Sequence, residues 1–273
     1  MADALPFPSH PDNREGAQSG PLSMSSFETR IAALAPHIRI VKPHGEGPFP
    51  VVLQFHGCGG VKPLQGVYAE AAREAGWAAC IVDSYAHRNI SKTQAYATVC
   101  SGLRLQGPER AGDLYAALEW ARRQDWADPR RIALAGWSHG GWTAADALSM
   151  PRAAAERATK IAPLPEDVLA GVVAAFLVYP YAGIGSVAGA KGWRISPKTC
   201  VIVGGKDYVV GKAGPLKLVR RLEMDDVPIT SEFFAAATHA FDEEGANDMR
   251  VRYDPELTAR AIGHYQALLR GAA

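Results

Sequence analysis

The sequence predicts an α/β fold in which a mostly parallel central sheet is covered by helices on both faces. Short apolar runs rich in β-branched residues alternate along the chain with segments whose apolar residues recur every three or four positions. The short runs are apolar throughout rather than at every second residue, which is typical of strands buried on both faces. Their alternation with helical segments is typical of parallel strands joined by crossover helices.

Five strands and five helices follow from this pattern. We predict strands at residues 51–55, 78–82, 132–135, 172–179 and 199–203, and helices at residues 66–75, 110–123, 142–150, 215–224 and 255–270. The clearest helix carries Leu114, Ala117, Leu118 and Ala121 as one apolar stripe. Residues 151–167, with several alanines and mixed charges, fit either a helical cap over a site or a plain surface connection.

Length and composition favour one globular domain. The chain has 273 residues, 48% of them hydrophobic, and we assign residues 27–273 to a single domain preceded by a flexible N-terminal arm at residues 1–26, which is rich in Pro, Ser, Gly and Asn. A net charge of +1 favours neither nucleic acid nor a membrane surface as a partner. The chain lacks an apolar run of roughly 20 residues and a signal-peptide pattern, so we expect a cytoplasmic protein. We interpret its four cysteines as reduced thiols.

The motif Gly136-Trp137-Ser138-His139-Gly140 fits the G-x-S-x-G nucleophile elbow. It lies between a predicted strand and a predicted helix, which is the context that this motif requires. The glycines allow strand and helix to pack closely around the turn, and the turn raises the serine hydroxyl above the sheet. We therefore predict the α/β-hydrolase fold, with Ser138 as a catalytic nucleophile.

A serine nucleophile needs a base and an acid, which follow it along the chain in this fold. His239 is the candidate base because His139 belongs to the elbow and His264 lies in the last predicted helix. Asp207 is the candidate acid because it follows a strand and a glycine turn. Asp242 competes with it, since it lies three residues beyond His239, but we favour Asp207 by its position.

The segment His56-Gly57-Cys58-Gly59-Gly60 follows the first predicted strand and resembles an oxyanion loop of the H-G-G-G type. Such a loop supplies a backbone N–H to the negative charge that develops on a carbonyl oxygen. We assign one donor to the N–H of Cys58 or Gly59 and the other to that of His139.

From about Ile38 to its C-terminus, the chain resembles the dienelactone hydrolase family of α/β-hydrolases. The resemblance rests on the segments 56–60, 82–88, 128–132, 136–141 and 239–241. Dienelactone hydrolase proper has a cysteine nucleophile where this chain has Ser138, and it binds an anionic substrate with an arginine where this chain has Glu243. The resemblance therefore implies hydrolysis of an ester or lactone by a serine nucleophile, while the substrate of dienelactone hydrolase itself cannot simply be carried over.

We expect Tyr85, Arg88, Trp137 and Tyr181 to contact the substrate, with Arg88 or His87 able to supply a positive contact. Cys58 and Cys100 lie near segments that should both approach the site, so a disulfide between them is conceivable in an exported protein. Because no signal sequence is recognisable, we expect both to be free.

These residues predict a serine hydrolase that cleaves a carboxylic ester or lactone through an acyl-enzyme, with a small molecule as its partner and without a metal or organic cofactor. A peptidase or amidase of the same fold is the alternative enzyme, although such enzymes usually need a further domain. A non-catalytic binding protein is the alternative from another class, and it is disfavoured because no member of the catalytic set is missing. The sequence leaves open whether the protein is a monomer or a homodimer.

Overall fold

A seven-stranded sheet forms the centre of the protein, in the order β1-β3-β2-β4-β5-β6-β7. The computed structural model describes residues 24–272. The strands are β1 (Ile38–Val41), β2 (Phe49–Phe55), β3 (Ala78–Val82), β4 (Ala127–Trp137), β5 (Val172–Val178), β6 (Lys198–Gly204) and β7 (Ile229–Phe234). All neighbouring pairs are parallel except β1 with β3. This arrangement confirms the predicted α/β class.

Helices cover both faces of the sheet. They are α1 (Phe27–Leu34), α2 (Pro63–Glu74), α3 (Lys92–Gln94, continued by a π-helical turn at Ala95–Val99), α4 (Gly107–Arg122), α5 (His139–Ser149), α6 (Arg152–Thr159), α7 (Ala213–Met224) and α8 (Pro255–Arg270). On one face, α1, α4, α5 and α7 contribute to one apolar core, and on the other face α2 and α8 contribute to a second. Among residues 24–272, no helix is long and apolar enough to cross a membrane.

The two outer strands were not among the predicted ones. In β1, Arg39 and Ile40 are exposed, and in β7 only Phe234 is fully buried. An edge strand is buried on one side at most, so its sequence lacks the continuous apolar run on which the prediction relied. The five inner strands were predicted correctly within a few residues, although β4 begins at Ala127 and is bent by register shifts.

The segment at residues 151–167 is a surface connection rather than a cap. Its helix α6 packs against α4, and Ala155 and Thr159 are buried in that contact. Most of the expected N-terminal arm, residues 1–23, lies outside the described residues. Ser25 and Ser26 belong to the fold, since the Ser25 N–H donates to the carbonyl of Lys160 and the Ser26 hydroxyl caps α1.

Candidate active site

Ser138 lies at the turn between β4 and α5 with an unusual backbone conformation, φ 51° and ψ −111°. Two glycines permit the turn. A Cβ on Gly140 would lie 1.9 Å from the carbonyl oxygen of Phe55, and a Cβ on Gly136 would lie 2.5 Å from the backbone of Gly140. Neither space can hold a side chain, so β2, β4 and α5 meet at the serine only because these positions are glycine.

Three side chains that the sequence singled out form one hydrogen-bonded chain. The Ser138 Oγ lies 2.9 Å from Nε2 of His239, and Nδ1 of the same ring lies 2.7 Å from Oδ2 of Asp207. The other Asp207 oxygen accepts the backbone N–H groups of Val209 and Val210. Burial raises the pKa of Asp207, but the hydrogen bond and charge of His239 and these N–H groups outweigh it, so the pKa is lowered. The carboxyl is therefore held as an anion against the imidazole.

Asp242 does not contact the His239 ring. Its carboxylate accepts hydrogen bonds from Tyr68 (3.0 Å), Trp137 (3.1 Å) and Tyr179 (2.5 Å). Burial raises its pKa, although these hydrogen bonds act in the opposite direction. Asp242 thus ties the loop that carries His239 to the ends of β4 and β5 and to α2, and it does so through side chains rather than through the loop backbone.

The loop after β2 approaches the serine closely. A Cβ on Gly57 would lie 3.7 Å from Cβ of Ser138. Among the described residues, the backbone N–H groups of Cys58 and Gly59 have no hydrogen-bond acceptor. Tyr85 supports this loop from behind, since its hydroxyl donates to the carbonyl of Cys58 at 2.8 Å.

The guanidinium of Arg110 on α4 is buried behind this loop, and the sequence analysis did not identify it. Its Nη1 donates to the carbonyl of His56 at 2.7 Å and to Nδ1 of His139 at 3.1 Å, while its Nε donates to Oγ of Ser84 at 2.9 Å. Burial and the charge of Arg110 lower the pKa of His56 and lower that of His139 to about 3. Both rings are therefore neutral, and Arg110 joins the oxyanion loop to the elbow. In the sequence, Arg110 is one arginine in a predicted helix, and that pattern does not indicate a guanidinium buried between two loops.

Cys58 and Cys100 form a disulfide, which corrects the expectation of reduced thiols at these two positions. Cys80 and Cys200 are free and buried, as expected. Cys58 and Cys100 are 42 residues apart in sequence. They come together because α3 and the π-helical turn fold over the loop after β2. Disulfides are typical of oxidising compartments, so this pair does not fit the expectation of a cytoplasmic protein.

A cavity of about 410 Å³ opens beside Ser138 and His239. Glycines of the loop after β2, Trp137, Tyr179, the disulfide and Tyr96 form much of its wall. Trp137 is the one expected substrate contact that lines it, and its indole N–H is already used by Asp242.

The other three expected substrate contacts lie outside this cavity. Arg88 forms a two-pronged ion pair with Asp113 at 2.6 and 2.9 Å and does not line the cavity, which differs from the position expected for it. Tyr181 packs against Trp142 and donates to the carbonyl of Ile184, and Tyr85 lies behind the oxyanion loop. The charged side chains that do line the cavity are Lys62, Glu243 and Arg250, beside the ring of His239.

Comparisons with known proteins agree with the fold. The model of the dienelactone hydrolase family matches residues 37–271. Among solved structures, a candidate dienelactone hydrolase from Klebsiella pneumoniae superposes with a TM-score of 0.63 at 16% identity, over 85% of this chain and 91% of that one. A propionate-bound esterase from Thermogutta terrifontis superposes with a TM-score of 0.60 at 16% identity, over 85% and 88% of the two chains.

A promiscuous phosphotriesterase from metagenomic libraries, described as dienelactone hydrolase-like, has a TM-score of 0.60 at 18% identity, over 86% of this chain and 99% of that one. No curated protein sequence matches the chain. At these identities the structural matches establish the fold, which is that of the α/β-hydrolases.

Proposed function

The chain belongs to the dienelactone hydrolase family, and we propose that it hydrolyses carboxylic esters or lactones through an acyl-enzyme formed on Ser138. The observation that carries this proposal is the continuous hydrogen-bonded chain from Ser138 Oγ through His239 to Asp207, at 2.9 and 2.7 Å. A serine hydroxyl is a weak nucleophile, and a base within hydrogen-bond reach that is itself oriented by a carboxylate activates it.

In the first half-reaction, Ser138 Oγ attacks the ester carbonyl carbon while its proton moves to Nε2 of His239. The carbonyl oxygen gains negative charge and is stabilised by the N–H of His139 and that of Cys58 or Gly59. When the tetrahedral intermediate collapses, the bond to the alcohol oxygen breaks and His239 returns the proton to that oxygen. Asp207 stabilises the imidazolium that exists between these two transfers.

In the second half-reaction, water attacks the acyl-enzyme while His239 removes its proton. The same backbone donors stabilise the new oxyanion, and the proton passes to Ser138 Oγ as the carboxylic acid is released. These steps need no metal or organic cofactor.

The proposal is tested with Ser138→Ala, using a para-nitrophenyl ester as substrate and a fluorophosphonate as covalent probe. We expect the variant to lose ester turnover by at least about 10³-fold and to lose labelling, because the nucleophile is gone. Ser149→Ala is the matched control, since Ser149 is also buried on α5 but donates only to the carbonyl of Ala145. It should keep both properties.

Two outcomes would contradict the proposal. Absence of labelling and of turnover in the unaltered protein would favour the binding-protein alternative. Faster cleavage of para-nitroanilides than of matched esters would favour the amidase alternative.

A further inference from the structure

An ion pair joins the two loops that flank the reacting serine. Lys62 follows the oxyanion loop and Glu243 follows His239 by four residues, and Nζ of Lys62 lies 2.6 Å from Oε1 of Glu243. Both residues line the cavity, and their side chains are only 18% and 28% exposed. The pair therefore stands in the wall that a bound substrate must face, partly shielded from water.

The backbone on both sides holds this pair in place. The Lys62 N–H donates to Oε1 of Gln65 at 2.8 Å, which fixes the start of α2. The Glu243 N–H donates to the carbonyl of Ala240 within the histidine loop. The Tyr96 hydroxyl lies 3.4 Å from Lys62 Nζ. Burial lowers the pKa of Lys62, but Glu243 and Tyr96 outweigh it and raise the pKa, so the lysine is charged.

The remaining charges at the cavity do not favour either sign of substrate. Arg250 has a largely exposed side chain and lies 3.6 Å from Asp248, so water and this carboxylate screen it. His239 is engaged with Asp207. Most of the other lining residues are glycine, apolar or aromatic.

We propose that the Lys62–Glu243 pair is a charge filter, which restricts this cavity to esters and lactones whose acyl part carries no charged group. The inference rests on the proposed ester hydrolysis and names its substrate class. A charged substrate group beside the intact pair is attracted by one member and repelled by the other, and it loses hydration without gaining a partner of its own. If one member is removed, the other becomes a partly buried, unpaired charge that attracts a substrate group of opposite sign.

The test compares three para-nitrophenyl esters with acyl chains of the same length. The neutral ester is made from hexanoic acid, and the anionic one from adipic acid, whose second carboxylate stays free. The cationic ester is made from 5-(trimethylammonio)pentanoic acid, in which the cation replaces the terminal methyl group. The unaltered enzyme should have the highest kcat/KM on the neutral ester, by about tenfold over either charged one. Glu243→Gln should raise the ratio of anionic to neutral kcat/KM by about tenfold. Lys62→Met should raise the cationic ratio to a similar extent.

Two further variants separate selection by charge from loss of structure. Lys62→Met combined with Glu243→Gln leaves no charge unpaired, so both ratios should return close to those of the unaltered enzyme. Glu244→Gln is the matched control, since Glu244 is exposed and does not line the cavity, and it should change neither ratio. A pair with a purely structural role would lower the free energy of unfolding in the single variants and leave both ratios unchanged.

Unchanged ratios in both folded single variants would overturn the inference. The inference would also be overturned if the unaltered enzyme cleaved a charged ester as fast as the neutral one. This second result does not depend on whether any variant folds. Failure of the proposed function itself is distinguishable, because all three esters and the fluorophosphonate would then be left unreacted.

Discussion

The strained backbone at Ser138 is held in place by its neighbours. A non-glycine residue at φ 51° and ψ −111° costs on the order of 1–3 kcal/mol and persists only where its surroundings enforce it. Here the Ser138 N–H donates to Val178 at the end of β5, and its carbonyl accepts the N–H groups of Trp142 and Tyr181. The conformation is thus maintained by the neighbouring strand and by the first turn of α5.

Gly140→Ala tests how closely the elbow is packed. Its Cβ would overlap the carbonyl oxygen of Phe55, which is backbone and cannot rotate away. We expect the free energy of unfolding to fall by at least about 3 kcal/mol in urea denaturation, or the protein to fail to fold. Gly263→Ala is the control, because a Cβ there meets nothing within 4 Å on α8. It should stabilise the protein by about 0.5–1 kcal/mol, and equal effects of the two changes would contradict this account of the elbow.

Asp207→Asn and Asp242→Asn should separate catalysis from anchoring. Asp207→Asn should lower kcat about 10⁴-fold, since an amide beside Nδ1 favours the wrong tautomer of His239. Asp242→Asn should affect kcat far less and should instead lower the free energy of unfolding by about 1–3 kcal/mol, because three buried donors share its carboxylate. Steady-state kinetics and urea denaturation of both variants test this, and the reverse order of kcat values would assign the acid to Asp242.

Position in the sequence was sufficient to identify Ser138, His239 and Asp207 as candidate residues, because each follows a recognisable strand or turn. It was not sufficient for Arg88, whose motif suggested a substrate contact. Whether an arginine faces a cavity or a buried carboxylate depends on a residue of another element, in this case Asp113 on α4. Arg110 was missed for the same reason, since its partners belong to three separate segments.

At the scale of elements, the sequence predicted the inner strands well because burial on both faces leaves an unbroken apolar run. The edge strands β1 and β7 lack that run. The segment between β3 and α4 was predicted least well. The segment as a whole forms a small apolar cluster, which includes Tyr85, Ile90 and Val99. Its apolar residues show no periodic pattern long enough to predict a helix or a strand.

The disulfide that links this segment to the loop after β2 is open to a direct test. Titration of the denatured, unreduced protein should reveal only the thiols of Cys80 and Cys200, and a reductant should double the signal. Cys58→Ser combined with Cys100→Ser should lower the free energy of unfolding by about 2–4 kcal/mol, because the link closes a long loop. Reaction of all the cysteines without reductant would contradict the pairing.

At the scale of the whole molecule, buried histidines should make stability depend on pH. Burial and Arg110 keep His56 and His139 neutral in the folded state, and burial lowers the pKa of His87 to about 4. As the pH falls below about 6.5, the unfolded chain takes up protons on these rings and the folded chain does not, so stability falls. Burial raises the pKa of Asp146 to about 6 and also raises that of Asp242, which offsets part of this loss.

Each histidine contributes about 2 kcal/mol between these pH values and the carboxyls offset part of the sum, so we expect the free energy of unfolding to be about 3–4 kcal/mol lower at pH 5 than at pH 7. Urea denaturation at several pH values measures it. His139→Gln removes one of the titrating rings and should make the dependence shallower. Greater stability at pH 5 than at pH 7 would show that the buried carboxyls outweigh the histidines.

The disulfide-linked segment contributes to the cavity wall but not to the two main cores. Tyr96 and Cys100 shape the cavity, yet the apolar cluster beneath them is distinct from the two cores that hold the sheet. Sequence variation confined to residues 92–98 can therefore alter what enters the cavity without touching the scaffold that builds the elbow. In evolutionary terms, we expect substitutions in this segment to change the substrate range at little cost to folding, while the disulfide holds the segment against the loop after β2.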